Sequence, residues 1–290
     1  MKRDTVIKMV LVAAGVAVLG FGVYVGYRRG RQQVKRLTIV HVNDTHSHME
    51  PDKTGEYRGM GGIVERAAYL DSVRRADGPG NVLLLHAGDY SQGSSYFNEF
   101  GTSYMVRAMN TLGYDVITLG NHEFDNGIEA LGQALSQCEM PVVVCNYDFS
   151  PFEMGKYVKP YAIVEKAGLK IGVIGVLCPL GSVLPGDIAN RLPMLDMVSS
   201  VQKYADELRP LCDLVIALTH IGYEEHGPGE MTDPQLCAAT RNIDVFVGGH
   251  SHTFLEEAMY SPNVDGIKIP IVQTGWEGVY MGEFHVTCGH

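Results

Sequence analysis

Five short apolar runs, at 37–42, 82–86, 116–119, 214–218 and 245–247, each lead into a segment carrying Asp, Asn or His. Those segments read Asn43-Asp44-Thr45-His46, Gly88-Asp89, Gly120-Asn121-His122-Glu123-Phe124-Asp125, Thr219-His220 and Gly248-Gly249-His250-Ser251-His252. A short, continuous apolar run is a buried strand. In open α/β sheets, sites collect beyond the carboxyl ends of such strands. Five strand ends carrying ligand-type side chains can therefore converge on one patch.

Between these runs, Ile63, Ala67, Leu70 and Val73 recur at helical spacing, so 63–75 reads as an amphipathic helix. Helices are also expected over 103–111, 126–138, 197–208 and 234–240. A further strand is expected over 141–145, and a hairpin at 161–165 and 169–177 around Lys166-Ala167-Gly168. Closing strands are expected over 254–259, 269–273 and 280–286, with loops at 179–195 and 221–233. Strand–helix alternation followed by a run of strands implies an α/β fold, a two-layer β-sandwich flanked by helices.

The ligand types constrain the chemistry. Asp44 and His46 present an oxygen and a nitrogen from one strand-end turn. Asp89 adds a carboxylate able to bridge two cations, and Gly88 permits close backbone approach. Asn121 offers a neutral carbonyl oxygen, and His220, His250 and His252 complete a mixed nitrogen and oxygen set. That set suits manganese, iron, zinc or cobalt better than calcium or magnesium. Two such ions, ~3.5–4 Å apart, lower the pKa of a bridging water and hold the attacking and leaving oxygens of a phosphate ester. His122 then has an ion-free role, with Asp125 within reach as its orienting partner. Such an imidazole stabilises charge on the transferring group or protonates the leaving oxygen.

Charge narrows the substrate. Of 23 basic and 33 acidic residues, residues 1–36 hold eight basic and one acidic, so the remainder carries a formal charge of −17. That domain repels polyanions, which argues against duplex nucleic acid as a substrate. A small phosphate remains open, because two divalent ions outweigh the charges of Asp44 and Asp89. The six cysteines form no Cys-x-x-Cys pair and read as buried small hydrophobes.

Taken together, these segments resemble the calcineurin-like metallophosphoesterase superfamily. The narrower likeness is to the catalytic domain of its 5′-nucleotidase branch, which includes UDP-sugar hydrolases and 2′,3′-cyclic-nucleotide phosphodiesterases. It runs from about Leu37 to about Val286. Its most specific stretches are 42–46, 108–115 (Ala-Met-Asn-Thr-Leu-Gly-Tyr-Asp), 118–125 and 248–252. The resemblance implies a four-layer α/β/β/α metallophosphatase sandwich. It also implies that Asp44, His46, Asp89 and His252 bind one metal and that Asp89, Asn121, His220 and His250 bind the second. His122 and Asp125 would form the catalytic dyad, and Asn146 would lie near substrate.

Hydrolysis of phosphate monoesters, with 5′-nucleotides leading, by attack of a metal-bridging hydroxide is the function so implied. A cyclic-nucleotide phosphodiesterase or UDP-sugar hydrolase is the alternative within enzymes, and a tethered scaffold with an inactive site the alternative outside them. Longer members of the branch carry a second, C-terminal nucleotide-binding domain, which is expected to be missing after residue 290. Selectivity would then come either from a separate chain or from this chain's own loops at 179–195 and 221–233.

The N-terminus divides into a basic segment (1–8), an uncharged apolar stretch of 19 residues (9–27) and a basic linker (28–36), ahead of the domain at 37–290. As a helix the apolar stretch would span ~28 Å, close to a bilayer's hydrocarbon core. A signal's apolar core is ~7–15 residues long and ends at small residues, whereas this one runs into Tyr27-Arg28-Arg29. We therefore read a single-pass membrane anchor, with a cleaved signal and a secreted form as the alternative. The flanking basic residues lean slightly towards a cytosolic domain. Phosphate removal for nucleoside salvage leans towards the periplasmic or extracellular side, which is the placement expected.

Other candidates have blander readings. His41 is expected in the core or behind the ligands, His48 at the rim, and His86 as packing or support in equal measure. His226, His285 and His290 read as surface or strand-edge residues. Glu123 reads as structural. Trp276, the one tryptophan, reads as packing on the last strands, with pocket lining as the alternative. Glu224-Glu225 and Glu256-Glu257 read as solvated faces.

Overall fold

The structure, a computed structural model, describes residues 35–225, 227 and 229–288. The anchor expected at 9–27 lies outside these residues, as do His226 and His290. Among the described residues no helix is long and apolar enough to cross a membrane.

The strands are β1 (Lys35–Val42), β2 (Val82–His86), β3 (Val116–Thr118), β4 (Val142–Val143), β5 (Val158–Lys159), β6 (Tyr161–Lys166), β7 (Leu169–Leu177), β8 (Leu214–His220), β9 (Val245–Val247), β10 (Met259–Pro262), β11 (Lys268–Val272) and β12 (Gly282–Cys288). They form two six-stranded sheets, ordered β12-β1-β2-β3-β4-β5 and β10-β11-β9-β8-β7-β6. Both sheets are mixed. Strands β1 to β5 run parallel and β12 pairs antiparallel with β1. In the second sheet β7, β8, β9 and β11 run parallel, with β6 and β10 antiparallel at the edges.

The unbroken apolar runs follow from burial on both faces. Leu37, Ile39, Leu83 and Leu85 of the first sheet share a core with Ile171, Val173, Ile216, Leu218, Val245 and Val247 of the second. The intervening residues Val40, Val42, Leu84, Val215, Ala217 and Phe246 point the other way, into a core shared with helices. The period of two thus divides each strand between the inter-sheet layer and a helical layer. Where β4 and β7 cross between the sheets, Gly175 accepts a hydrogen bond from Cys145 N–H at 2.8 Å. A Cβ at Gly175 would lie 1.9 Å from the carbonyl oxygen of Val143, so only glycine fits this approach.

The helices are α1 (Ile63–Asp77), α2 (Ser95–Leu112), α3 (Ile128–Leu135), α4 (Gly186–Ala189), α5 (Met197–Leu208) and α6 (Asp233–Ala239). Helix α1 packs on β2, α5 on β7, and α6 on β10 and β11. Two of them carry start signals: Asp196 accepts from Ser199 N–H ahead of α5, and a Thr232–Gln235 capping box opens α6.

Several boundaries differ from the sequence reading. Helix α2 begins eight residues before the expected position 103, because Ser94 caps it and Gly101, at φ 62°, kinks it without ending it. The expected strand at 254–259 is instead a single bridge, Phe254 to Thr274, and the strand proper lies at Met259–Pro262. The loop at 179–195 contains the one-turn helix α4. Strand β5 was not expected; it is two residues long and half exposed, too short for any period to show.

Candidate metal centre

The five candidate ligand segments do converge. Asp44 and His46 follow β1, Asp89 follows β2, Asn121 and His122 follow β3, His220 ends β8, and His250 and His252 follow β9. Backbone bonds lock the first two loops together: Asp44 N–H donates to Gly88 O at 3.0 Å and His46 N–H to Asp89 O at 3.0 Å. Asp44, His46, Asp89, His250 and His252 all have positive φ, between 44° and 84°. Such backbone costs roughly 1–3 kcal/mol per residue and collects at functional sites.

Two groups of ligand atoms result, Asp44–His46–His252 and Asp89–His220–His250, each with its atoms within 4.8 Å of one another. They share a wall, since His220 Nε2 lies 3.1 Å from Asp89 Oδ2 and 3.8 Å from Asp44 Oδ1. Asn121 is buried beside them, and the next residue, His122, donates its N–H to Asp89 Oδ1 at 2.9 Å.

These donors fit divalent cations. His220 Nδ1 lies 2.7 Å from Ala87 O, a bond that requires the proton on Nδ1 and so aims the Nε2 lone pair at Asp89. That buried Nε2 has no hydrogen-bond partner. His46 Nε2 and His252 Nε2 lie 3.0 Å apart, both facing Asp44. Lone pairs opposed to carboxylates at such distances call for positive charge between them.

The carboxylates draw His220 and His252 towards the charged form, while burial lowers His46. Burial alone would raise the Asp44 and Asp89 carboxyls, but His220 and its neighbours outweigh it and hold both below the ordinary range. Burial alone would lower His220, but the two carboxylates raise it well above the usual imidazole value.

The site is closed on one side and open on the other. Asp44, Asp89, Asn121, His220 and His250 are buried. His122, Asp125 and His252 reach the surface, with side chains 31%, 26% and 41% exposed. His122 Nδ1 bonds Asp125 Oδ2 at 2.9 Å, which leaves Nε2 free to face a reactant. Burial lowers this imidazole, but the hydrogen bond to Asp125 and the charges of Asp89 and Asp125 raise it above its ordinary value.

Supporting residues explain how the loops hold their shape. Glu123, fully buried, accepts the N–H groups of Asp89, Ser91 and Gly120 at 2.9, 2.9 and 2.6 Å. Burial, then the charge of Asp89, pushes its carboxyl up to about 7 against those bonds. This is the structural role expected of it. Gly120 has no room for a side chain: a Cβ would meet Asp89 Oδ1 at 2.2 Å. Gly120→Ala should therefore destabilise the chain by about 1–3 kcal/mol, the usual penalty of overpacking, which urea melts will measure. An unchanged midpoint would mean that this approach is not tight.

Other placements depart from the sequence reading or add to it. Asn146 is fully buried, donating to Leu177 O at 2.7 Å and accepting from Leu177 N–H at 3.0 Å. It ties β4 to β7, and a contact with substrate gains no support from this placement. His41 and His86 are buried, which pulls their pKa values down to about 4 and about 3. His86 Nε2 lies 3.1 Å from Thr45 Oγ1, so it supports the first ligand loop. His48 groups with Asp52 and Glu277 beside the site. The six cysteines are free.

Two neighbours, Asn43 and Glu230, escaped sequence reasoning, and a third, Trp276, is placed differently from its favoured reading. Asn43 accepts from Thr274 N–H and Oγ1–H at 2.9 and 2.8 Å and donates to Gly275 O at 2.7 Å. Its adjacency to Asp44 was the available signal. Glu230 reaches within 4.0 Å of His250 Nε2 from a loop with no periodic pattern. Trp276 lies on the surface beside His252, with ring centroids 6.0 Å apart, rather than packed on the last strands.

Known proteins are similar to this chain in sequence and fold. Residues 37–254 match the family model of calcineurin-like phosphoesterases. A snake venom 5′-nucleotidase from Naja atra is 34% identical over 276 residues, 87% of this chain and 50% of the venom protein. The crystal structure of a 5′-nucleotidase precursor from Thermus thermophilus superposes with TM-score 0.76 at 32% identity, over 87% of this chain and 51% of that one. The Haemophilus influenzae NAD nucleotidase does so with TM-score 0.76 at 28% identity, over 88% of this chain and 48% of that one. The chain thus spans about half the length of the relatives it matches. It belongs to the calcineurin-like phosphoesterase family, in the 5′-nucleotidase branch.

Proposed function

We propose that this chain hydrolyses phosphate monoesters at a dimetal centre, with 5′-nucleotides as its leading substrates. The observation that carries the reading is the pair of adjoining ligand groups with the His122–Asp125 pair at their open edge. Asp44, His46, Asp89 and His252 would hold one ion, and Asp89, Asn121, His220 and His250 the other. When bound, such ions polarise phosphoryl oxygens and make water a nucleophile at neutral pH.

The chain's own residues supply the rest. Asp125 fixes the His122 ring and keeps it protonated to higher pH, so that Nε2–H can donate to the leaving oxygen. The Asp89 carboxylate, gripped by His122 N–H and Glu123-bound loops, cannot swing between the two groups. The walls built by Asp44, Asp89 and His220 exclude water from the closed side.

The test is phosphate release from 5′-AMP by the full chain loaded with Mn²⁺, with glycerol phosphate as comparison. Preference for AMP is expected; equal slow release from both would leave a competent but unselective phosphatase and sink the nucleotide assignment. A pH profile tests the acid. Activity should fall as pH rises through the His122 pKa. Asp125→Asn removes the hydrogen bond and charge that raise it, so the alkaline fall should move to lower pH. An unmoved limb would assign that titration to another group.

We also propose that the domain is displayed outside the cytosol on an anchor at residues 9–27. The uncharged length of that stretch supports an anchor. Protease added to intact cells should then digest the domain, and a protected domain would refute this placement.

A further inference from the structure

Four aromatic side chains form a surface beside the open edge of the metal centre. Trp276 and Phe254 are 39% and 43% exposed, a large apolar area to leave in water next to a polar site. The Tyr57 ring meets Trp276 and Tyr280 edge-on, with centroids 6.4 and 6.0 Å apart. Tyr280 stacks on Phe254 at 4.3 Å. With Gly275 and Val279 these rings line one shallow cleft.

The loop that carries Trp276 is fixed to the ligand loops on both sides. Asn43, the residue before Asp44, binds Thr274 and Gly275. Gly275, at φ 76°, donates to Thr253 O at 3.1 Å, next to His252. Glu277 N–H donates to Asp44 O at 2.7 Å. The indole lies over the His252 imidazole with ring planes 27° apart. A half-exposed indole held this firmly against a candidate metal ligand is preorganised for a flat ligand, because stacking then costs no loop ordering.

We propose that this cleft is the subsite for the nucleobase and that Trp276 is its specificity-determining residue. The proposal rests on the nucleotide reading above and deepens it: a phosphate held at the ions leaves the rest of the substrate to extend across the exposed edge of His252. A planar base stacks on any aromatic face, and Trp gives the largest one. Glu56, whose charge acts on Tyr57, suits a base with N–H donors better than an anionic ring.

The experiment uses the full chain and two readouts. The first is the ratio of kcat/KM for AMP over ribose 5-phosphate, which presents the same phosphate and sugar without a base. Trp276→Ala should lower that ratio about tenfold or more, the loss expected for one base–aromatic stack. Trp276→Phe should keep most of it, showing that the ring rather than the fold is at stake. A ratio unchanged in Trp276→Ala would overturn the subsite while leaving the phosphatase reading intact.

The second readout is independent of turnover. The chain contains one tryptophan, so its emission reports on this position alone. Adenosine should quench it saturably and ribose should not; equal or absent response would overturn the proposal. If the wild-type chain released phosphate from neither ester, the nucleotide reading would fall, and this titration would still decide whether the cleft takes a base.

Discussion

Asp89→Asn should abolish phosphate release and lower metal content below two ions per chain. The substitution keeps shape and removes one charge from the wall between the two ligand groups. Asp89 Oδ2 faces His220 at 3.1 Å, and Oδ1 accepts the His122 N–H at 2.9 Å. An amide there presents one oxygen and two hydrogens where both groups need lone pairs. Its N–H hydrogens would meet either the His122 N–H or the space that a cation is to fill. Metal ions contribute several kcal/mol to transition-state stabilisation, so turnover should fall by ~10³ or more. Elemental analysis of the purified chain and AMP hydrolysis are the two measurements, with a thermal melt to establish folding. Full activity with two ions bound would refute the shared position of Asp89.

The arrangement of the sheets was legible because burial on both faces leaves an unmistakable mark. Runs such as Leu83-Leu84-Leu85 are apolar throughout, since odd residues enter the inter-sheet core and even ones the helical layer. Strands with one face in water were harder to place. β12 alternates between half-buried and exposed positions and is shifted by two residues from the expected span. Helix α2 was cut short because the kink at Gly101 breaks the helical period, although Ser94 marks the true start.

The candidate ligands were legible for a different reason. A side chain that must be Asp, Asn or His at a strand end stands out against its apolar run, as Asp44, Asp89 and His220 do. What supports or adjoins them does not stand out. Asn43 meets Thr274 across 231 positions, and Trp276 meets His252 only because the loops at 253 and 275 are bonded together. Asn146 shows the converse: a polar residue after a strand, in the same position as the ligands, whose amide is spent on the backbone of Leu177. Residue type, position and burial were alike; the two hydrogen bonds to the Leu177 backbone separated the two cases.

His122→Ala should retain both ions and lower turnover by ~10²–10⁴, the usual contribution of a positioned acid–base group. Three observations separate this residue from the ligands around it. Its Nδ1 is committed to Asp125 at 2.9 Å, and its backbone N–H, which alanine keeps, is the atom that braces Asp89. It belongs to neither group of convergent ligand atoms. Its ring is part-exposed at the open edge, 5.4 Å from that of His46, where a leaving group can depart into solvent. The loss should depend on the leaving group. A p-nitrophenyl ester, whose phenolate needs little protonation, should be hydrolysed by the variant far closer to the wild-type rate than AMP, whose alkoxide needs a proton. Equal losses on both would assign His122 to charge stabilisation on the phosphoryl group instead. Loss of an ion from the variant would make it a ligand and overturn the division of roles.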